Sequence, residues 1–270
     1  MRGRIEAKFN DLKQKRQKAF IAYLTAGDPD LGKTAELVPV LAAAGVDIVE
    51  IGIPFSDPTA DGPVIQAAAQ RALAGGATLE KILAMIAELR KVSGIPIVLF
   101  TYYNPVLSYG PERFAAAAAK AGVDGILVVD LPPEEAGELR RYTDPAGLAF
   151  ISLIAPTTDD QRAATILRGA TGFVYYISVT GVTGTAVPSP ESVRSDVARL
   201  KAMTKLPIAV GFGIATPEQA AAIAPSADGV VVGSALVRLI GEGAPRNGEV
   251  AAFAAAIRRA IDAAASGEPG

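Results

Sequence analysis

Glu50 is the residue whose type and position most directly indicate chemistry. It interrupts the apolar run DIVEIGIP, in which the β-branched residues Val49, Ile51 and Ile53 occupy every second position. Because successive side chains of a strand point to opposite faces, this spacing predicts one apolar face and places Glu50 on the other. Burial without a partner raises the pKa of a carboxyl group toward neutrality, which suits proton transfer. Glu50 is therefore a candidate proton-transfer residue, or else a glutamate bonded to backbone or to an arginine of a neighbouring strand.

Further carboxylates follow apolar runs. Asp57 and Asp61 lie in PFSDPTADGP, residues 54–63, directly after the run that contains Glu50. A stiff loop holds polar groups in place, as a site requires, although Asp beside Pro and Gly is also ordinary turn chemistry. Asp130 ends another apolar run and is either a site residue or the cap of a helix that begins near Pro133.

The composition limits which chemistry these groups can serve. The chain has 270 residues, no Cys and no His, which excludes a thiol nucleophile, a Ser-His-Asp triad and any imidazole or thiolate metal site. Proton chemistry is left to Asp, Glu, Lys and Tyr. The formal net charge is −2 with no basic tract, which argues against a nucleic-acid partner. The charged start and the lack of a long apolar run predict a cytoplasmic protein without a membrane span.

Short apolar runs alternate with longer amphipathic segments along nearly the whole chain. Apolar, β-branched runs bounded by Gly, Pro and Asp predict eight strands, at Phe20–Thr25, Ile48–Ile53, Ile97–Thr101, Gly125–Val129, Phe150–Ile154, Phe173–Ser178, Ile208–Gly211 and Gly229–Val232. Helical patterns lie between them, for example at Lys33–Ala44, Leu79–Val92, Glu112–Ala121, Pro190–Met203, Pro217–Ile223 and near Glu249–Ala264.

Strands separated by helices predict parallel pairing through right-handed crossovers. Eight units in this length favour an α/β fold of the (β/α)₈ TIM-barrel type over an open doubly wound sheet, and no G-x-G-x-x-G follows the first strand. The segment before the first strand is expected to be an extra N-terminal helix. We expect one domain over residues 1–270, with a frayed tail at about 265–270. The similar segments 41–54 and 118–132 are interpreted as two units that meet the same geometric demands.

Active sites of such barrels lie at the carboxyl ends of the strands, and the later strands end in glycines and tyrosines. One of Tyr175 and Tyr176 should face the barrel interior, and alternation alone does not say which. The Gly-, Thr- and Pro-rich segment after them suits a mobile lid. Gly211 and Gly213 after the seventh strand, and Gly233-Ser234 opening a helix after the eighth, predict a phosphate site to which Gly181 and Gly184 of the lid could contribute.

The motifs of this chain resemble those of the tryptophan synthase α-subunit family. The most specific match is EIGIPFSDPTADGP at 50–63. Supporting motifs run from the first strand to the eighth: LTAGDP at 24–29, NP at 104–105, DLPPEE at 130–135, SVTGVTG at 178–184, GFGI at 211–214 and GSA at 233–235.

The resemblance implies a retro-aldol cleavage of indole-3-glycerol phosphate into indole and glyceraldehyde-3-phosphate. It implies that Glu50 transfers protons, that Asp61 binds the indole N–H, and that Tyr175 lies near the reacting carbon. The phosphate would bind backbone N–H groups around Gly184, Gly213, Gly233 and Ser234. Candidate residues of an apolar indole pocket, each of which could instead be core, are Tyr23, Phe100, Tyr102, Val129, Leu153 and Phe212.

The family works with a β subunit that carries pyridoxal phosphate. The resemblance therefore implies a β-subunit partner in an α₂β₂ assembly, which residues 54–63 and the surface around Asn104–Pro105 would face. No cofactor and no metal ion is expected in this chain. Three alternatives remain: a lyase that needs no partner, another phosphate-binding barrel enzyme such as an isomerase or aldolase, and a catalytically silent subunit that only regulates its partner. Intact Glu50 and Asp61 argue against a silent subunit.

The lid gives one prediction. Some family members carry a basic residue at the position of Val179, so no charged contact with substrate is expected from that side chain. Thr183 is present and could tie the lid, which also contains Gly181, to Asp61. We expect Thr183→Val to slow turnover in a steady-state assay, because the hydroxyl that would bind Asp61 is lost. Unaltered turnover would contradict this closure.

Overall fold

A computed structural model describes residues 3–177, 189–211, 213–241 and 247–266. Within these residues, eight parallel strands form a closed barrel in chain order. The strands are β1 (Ala19–Thr25), β2 (Ile48–Gly52), β3 (Ile97–Thr101), β4 (Gly125–Val128), β5 (Ala149–Ile154), β6 (Val174–Ile177), β7 (Ile208–Gly211) and β8 (Gly229–Val232). The predicted barrel is confirmed, and the described strand ends differ from the predicted ends by at most one residue.

The strands alternate with helices. These are α1 (Arg4–Gln14), α2 (Leu31–Ala43), α3 (Pro63–Ala74), α4 (Leu79–Leu89), α5 (Tyr103–Tyr109), α6 (Pro111–Ala121), α7 (Gly137–Thr143), α8 (Asp160–Gly169), α9 (Pro190–Met203), α10 (Pro217–Ile223), α11 (Ser234–Gly241) and α12 (Asn247–Ser266). The last helix reaches Ser266, and residues 267–270 of the expected frayed tail lie outside the described residues. None of the described helices has the length and apolar character needed to cross a membrane.

Side-chain alternation along the strands separates two apolar cores. Every strand turns one face to the surrounding helices, where Val49, Ile51 and Ile53 are buried in the outer core. The opposite faces fill the barrel interior with Ile21, Ile48, Val98, Leu127, Ile151, Tyr175, Ala209 and Val231. The predicted N-terminal helix is present, and α1 closes the interior at the amino ends of the strands with Ile5, Phe9 and Leu12. The ring centroids of Phe9 and Phe173 lie 5.7 Å apart.

The amino ends of the strands are joined by a contact that occurs four times. A polar residue just before each even-numbered strand exchanges two hydrogen bonds with a residue near the start of the preceding odd-numbered strand. Its side chain accepts from the partner's backbone N–H, and its own backbone N–H donates to the partner's carbonyl. The four pairs are Asp47 with Phe20, Asp124 with Ile97, Thr171 with Phe150 and Asp228 with Ile208, at N–O distances of 2.7–2.9 Å.

The three acidic members of this set also pair with cations. Asp124 contacts Arg90 at 2.6 Å and Arg4 at 2.8 Å. Asp47 contacts Arg258 at 3.1 Å and Lys8 at 3.4 Å, and Asp228 contacts Lys201 at 3.0 Å. Each of these three aspartates therefore has a backbone N–H donor and a counter-charge. In this fold that end serves stability, whereas chemistry takes place at the opposite end.

Asp124→Ala should destabilise the barrel strongly. The change leaves the N–H of Ile97 and the largely buried guanidinium of Arg90 without their shared acceptor, which typically costs about 3 kcal/mol or more. The free energy of unfolding in urea measures the effect. The matched control is Asp144→Ala, which breaks the more exposed Arg140 pair and should cost less than about 1 kcal/mol. Equal losses in the two variants would contradict the interpretation.

Candidate functional site

Glu50 lies inside the barrel near the carboxyl end of β2. The outward packing of Val49 and Ile51 leaves its side chain on the interior face, as the alternation predicted. The residue is 1% exposed, and neither carboxyl oxygen has a hydrogen-bond partner among the described residues. Burial raises the pKa of Glu50 to about 8. A carboxyl group in this environment can both accept and release a proton near neutral pH.

Asp61 lies in the loop between β2 and α3 and is also buried. Two hydrogen bonds fix the backbone of Asp61. Its N–H donates to the carbonyl of Pro58 at 3.3 Å, and Nε2 of Gln66 donates to the backbone carbonyl of Asp61 at 2.8 Å. Burial raises the pKa of its carboxyl group to about 6, against the opposing effect of a hydrogen bond from Tyr102. The structure therefore presents two buried carboxyl groups, Glu50 and Asp61, with different proton affinities.

Tyr102 connects this loop to β3. Its hydroxyl accepts a hydrogen bond from the N–H of Ala60 at 2.9 Å and donates to the carboxylate of Asp61. Its ring lies 5.3 Å from that of Phe55, between centroids. Tyr102 was predicted as part of an apolar wall, and in the structure its polar end contacts the Asp61 loop. Asp57, by contrast, is exposed, and its carboxylate accepts a hydrogen bond from the hydroxyl of Ser56.

The two tyrosines of β6 are now distinguished. Tyr175 belongs to the interior core, and its hydroxyl lies over Gly211 of β7, where an added Cβ would be 2.2 Å away. Tyr176 points outward and donates to Asp196 of α9 at 2.5 Å. Burial and, to a smaller extent, the charge of Glu50 raise the pKa of Tyr175 well above its ordinary value. The hydroxyl of Tyr175 is therefore a neutral donor. Tyr175 is therefore the member of the pair that faces Glu50.

Asp130 has a structural role. Its carboxylate accepts the N–H of Tyr103 at 2.7 Å and so caps the start of α5, which follows the neighbouring strand β3. The alternative that it caps a helix beginning near Pro133 is wrong, because α7 begins at Gly137 and has no side-chain cap. The cap is supplied across two strands instead of along the chain, which local sequence does not reveal.

Three of the predicted phosphate residues, Gly213, Gly233 and Ser234, follow the adjacent strands β7 and β8. Gly213 has a φ of +81°, a conformation that favours glycine. Gly233 follows β8 directly, and α11 begins at Ser234, so the first N–H groups of that helix lack acceptors within the helix. Both therefore follow adjacent strands at the same end of the barrel. The predicted lid residues Gly181 and Thr183, the phosphate residue Gly184 and the pocket residue Phe212 lie outside the described residues.

The remaining pocket candidates line the same end of the interior. Phe100, Val129 and Leu153 pack against the interior core, and Tyr23 meets Phe100 edge to face with centroids 5.3 Å apart. Two residues were not assigned roles from sequence. Gln66 was missed, although a polar side chain in the first turn of a helix after ADGP could have indicated its bond to Asp61. Gly52, which lies two residues beyond Glu50 on the same face of β2, was given no function.

The burial of Glu50 makes stability depend on pH. Its folded pKa of about 8 exceeds the ordinary value of 4.5, so the folded chain holds a proton that the unfolded chain releases between these values. The free energy of unfolding should therefore fall as the pH rises through this window. The Glu50→Gln side chain does not ionise. As the pH rises, the free energy of unfolding of this variant should therefore increase relative to that of the unsubstituted chain, by up to about 1.4 kcal/mol per pH unit. Urea unfolding across the window measures this, and parallel curves would contradict it.

Comparison with known proteins agrees with the geometry. The family model described as tryptophan synthase alpha chain matches residues 9–265. The tryptophan synthase alpha chain of Geobacter sulfurreducens is 54% identical over 261 residues, covering 96% of this chain and 99% of the relative. That of Pelobacter propionicus is 50% identical over 260 residues, covering 96% and 97%.

Solved structures give the same result. The alpha subunit of tryptophan synthase from Legionella pneumophila superposes with a TM-score of 0.90 at 40% identity, covering 97% of this chain and 99% of that one. A tryptophan synthase chain from Mycobacterium tuberculosis gives 0.89 at 35% identity, with coverages of 97% and 99%. Fold, sequence and the arrangement of Glu50 and Asp61 point the same way: the chain belongs to the tryptophan synthase alpha chain family.

Proposed function

We propose that this chain is a carbon–carbon lyase that cleaves indole-3-glycerol phosphate into indole and glyceraldehyde-3-phosphate. The observation that carries the proposal is the unpartnered, buried Glu50 at the carboxyl end of the barrel, with Asp61 fixed in the adjacent loop. Such a carboxyl group is costly to keep, and a reaction that needs a proton taken and a proton given accounts for it.

The reaction needs two protons to move. Protonation of the indole ring carbon that bears the glycerol chain makes the ring cationic. Loss of the proton from the adjacent glycerol hydroxyl then turns that carbon into an aldehyde, while the electrons of the breaking carbon–carbon bond return to the ring and restore indole. Glu50 takes the hydroxyl proton and helps to deliver the ring proton, for which a pKa of about 8 is well suited.

Asp61 has a different task in this scheme. With its pKa raised only to about 6, it is largely ionised near neutral pH and can accept a hydrogen bond from the indole N–H. A fixed negative charge there stabilises the cationic ring at the moment it forms. Gln66 and Tyr102 hold the loop in position before substrate arrives. Tyr175 contributes a neutral hydroxyl from the interior face of β6, near the reacting carbon.

The phosphate of the substrate is assigned to the backbone donors of Gly213, Gly233 and Ser234, with Gly184 completing the site. Binding through N–H groups and the α11 dipole suits a dianion without requiring an added positive side chain. The indole lies against Tyr23, Phe100, Val129 and Leu153. The distance between the two ends of the site then selects a ligand with an apolar ring at one end and a phosphate at the other.

The indole that this reaction releases would be the substrate of a second enzyme. We assign residues 54–63 and the surface around Asn104–Pro105 to a β-subunit partner that carries pyridoxal phosphate, in an α₂β₂ assembly. On α5, beside Asn104–Pro105, Leu107 is 54% exposed and adds apolar surface of the kind that a partner covers.

The decisive assay mixes the purified chain with indole-3-glycerol phosphate and follows glyceraldehyde-3-phosphate through a coupled dehydrogenase, with and without a β subunit. We expect slow release alone and a large increase with the partner. Glu50→Gln should reduce turnover at least about 100-fold by removing the proton-transfer group. Asp61→Asn should reduce it by about 100- to 1000-fold by removing the charge opposite the ring.

Asp144→Asn, an exposed carboxylate at the end of α7, is the control and should retain full activity. Fast release without any partner would indicate a lyase that works alone. No release in either condition, from a chain that is folded, would overturn the substrate proposed here.

A further inference from the structure

Tyr23 lies next to Glu50 in the barrel wall. The two residues are partners in the register of β1 and β2. Ala22 and Leu24 pack outward, so the side chain of Tyr23 enters the interior, as that of Glu50 does. It is 6% exposed.

The ring of Tyr23 crosses over β2 on the solvent side of Glu50. Its hydroxyl lies where the Cβ of Gly52 would be, at 2.0 Å, and Gly52 is two residues beyond Glu50 on the same face. Gly52 is in turn the register partner of Phe100 on β3, which the ring meets edge to face at 82°. The ring therefore spans from β1 to β3 and covers the place where Glu50 would otherwise meet water.

Residues of helices α3 and α11 pack against the ring of Tyr23. Tyr23 forms a small apolar cluster with Ala68 and Val237, against which Val64 and Ile65 also pack. Only glycine at position 52 leaves room for this arrangement, because any side chain there would displace a rigid ring. Position 52 therefore determines whether Glu50 can be covered at all.

Few charged groups lie near Glu50 among the described residues. The titratable side chains that face Glu50 are Tyr23 from β1 and Tyr175 from β6, and Asp61 lies near the hydroxyl of Tyr23. The other described strands present apolar residues to the interior: Val98 and Phe100, Leu127, Ile151 and Leu153, Ala209, and Val231. With no cation among these neighbours, the presence or absence of water is what controls the charge of Glu50.

We propose that Tyr23 is a positioning residue whose ring, seated over Gly52, keeps water from Glu50 and thereby sets the pH at which Glu50 exchanges its proton. The ring provides this effect, while the hydroxyl is a neutral group whose pKa is raised by burial and by the carboxylates of Asp61 and Glu50. The relevance to catalysis rests on the proposed function, but the effect on Glu50 is measurable without substrate.

The test follows the titration of Glu50 by carbon-13 NMR in protein labelled at the glutamate carboxyl carbon, with Glu50→Gln identifying the resonance. The midpoint in the unsubstituted chain should be about 8. Tyr23→Ala admits water and should lower it by at least about one pH unit. Tyr23→Phe keeps the ring and should leave the midpoint within about half a unit. Tyr23→Val, a strand-forming residue, replaces the alanine variant if that one does not fold.

Leu24→Ala is the matched control, because it removes a buried side chain from the neighbouring position on the outer face of β1. It should lower stability and leave the midpoint unchanged. A midpoint that stays near its original value in Tyr23→Ala, or that moves as far in Tyr23→Phe as in Tyr23→Ala, overturns the proposal. If the chain proves unable to cleave indole-3-glycerol phosphate while these midpoints shift as expected, the proposed function fails and the role of Tyr23 stands.

Discussion

An ionisable group without partners can remain inside a folded protein only if the surrounding structure supplies the free energy that its desolvation consumes. Glu50 is such a group, since both of its oxygens are buried and lack hydrogen-bond partners within the described chain. The barrel offers a rigid wall on which the side chain cannot turn away, because the next residues on either side are locked into the outer core. The fold thus keeps this carboxyl group away from water, where its proton affinity is raised.

The two ends of the barrel treat carboxylates in opposite ways. At the amino ends of the strands, Asp47, Asp124 and Asp228 each accept a backbone N–H and contact a cation. At the carboxyl ends, Glu50 has no hydrogen-bond partner among the described residues, and the carboxylate of Asp61 accepts a hydrogen bond from Tyr102. The acids at one end are thus held by hydrogen bonds and ion pairs, whereas those at the end where barrels of this fold carry out chemistry have few partners among the described residues.

Much of this arrangement followed from sequence because local rules governed it. The strand ends were predictable since Gly, Pro and Asp punctuate the apolar runs, and alternation placed Glu50 correctly because its neighbours are uniformly β-branched. The same rule could not separate Tyr175 from Tyr176, since both faces accept an aromatic ring. The capping of α5 by Asp130 and the reach of Tyr23 across β2 to Phe100 join elements far apart in the chain. Such contacts depend on how strands are placed beside one another, which no local pattern encodes.

The fourfold exchange at the amino ends also divides the barrel into quarters. Each exchange joins an odd-numbered strand to the even-numbered strand that follows it, so β1 with β2, β3 with β4, β5 with β6, and β7 with β8 are each fastened within one crossover. Each pair of strands therefore contains both partners of its own hydrogen-bonded contact. Moving the chain ends to a connection between units, such as that between β2 and β3, would leave every fastening inside one continuous segment. An opening between β1 and β2 would place Phe20 and Asp47 at opposite ends of the chain. The side-chain contacts at the amino ends thus repeat every two strands around the barrel.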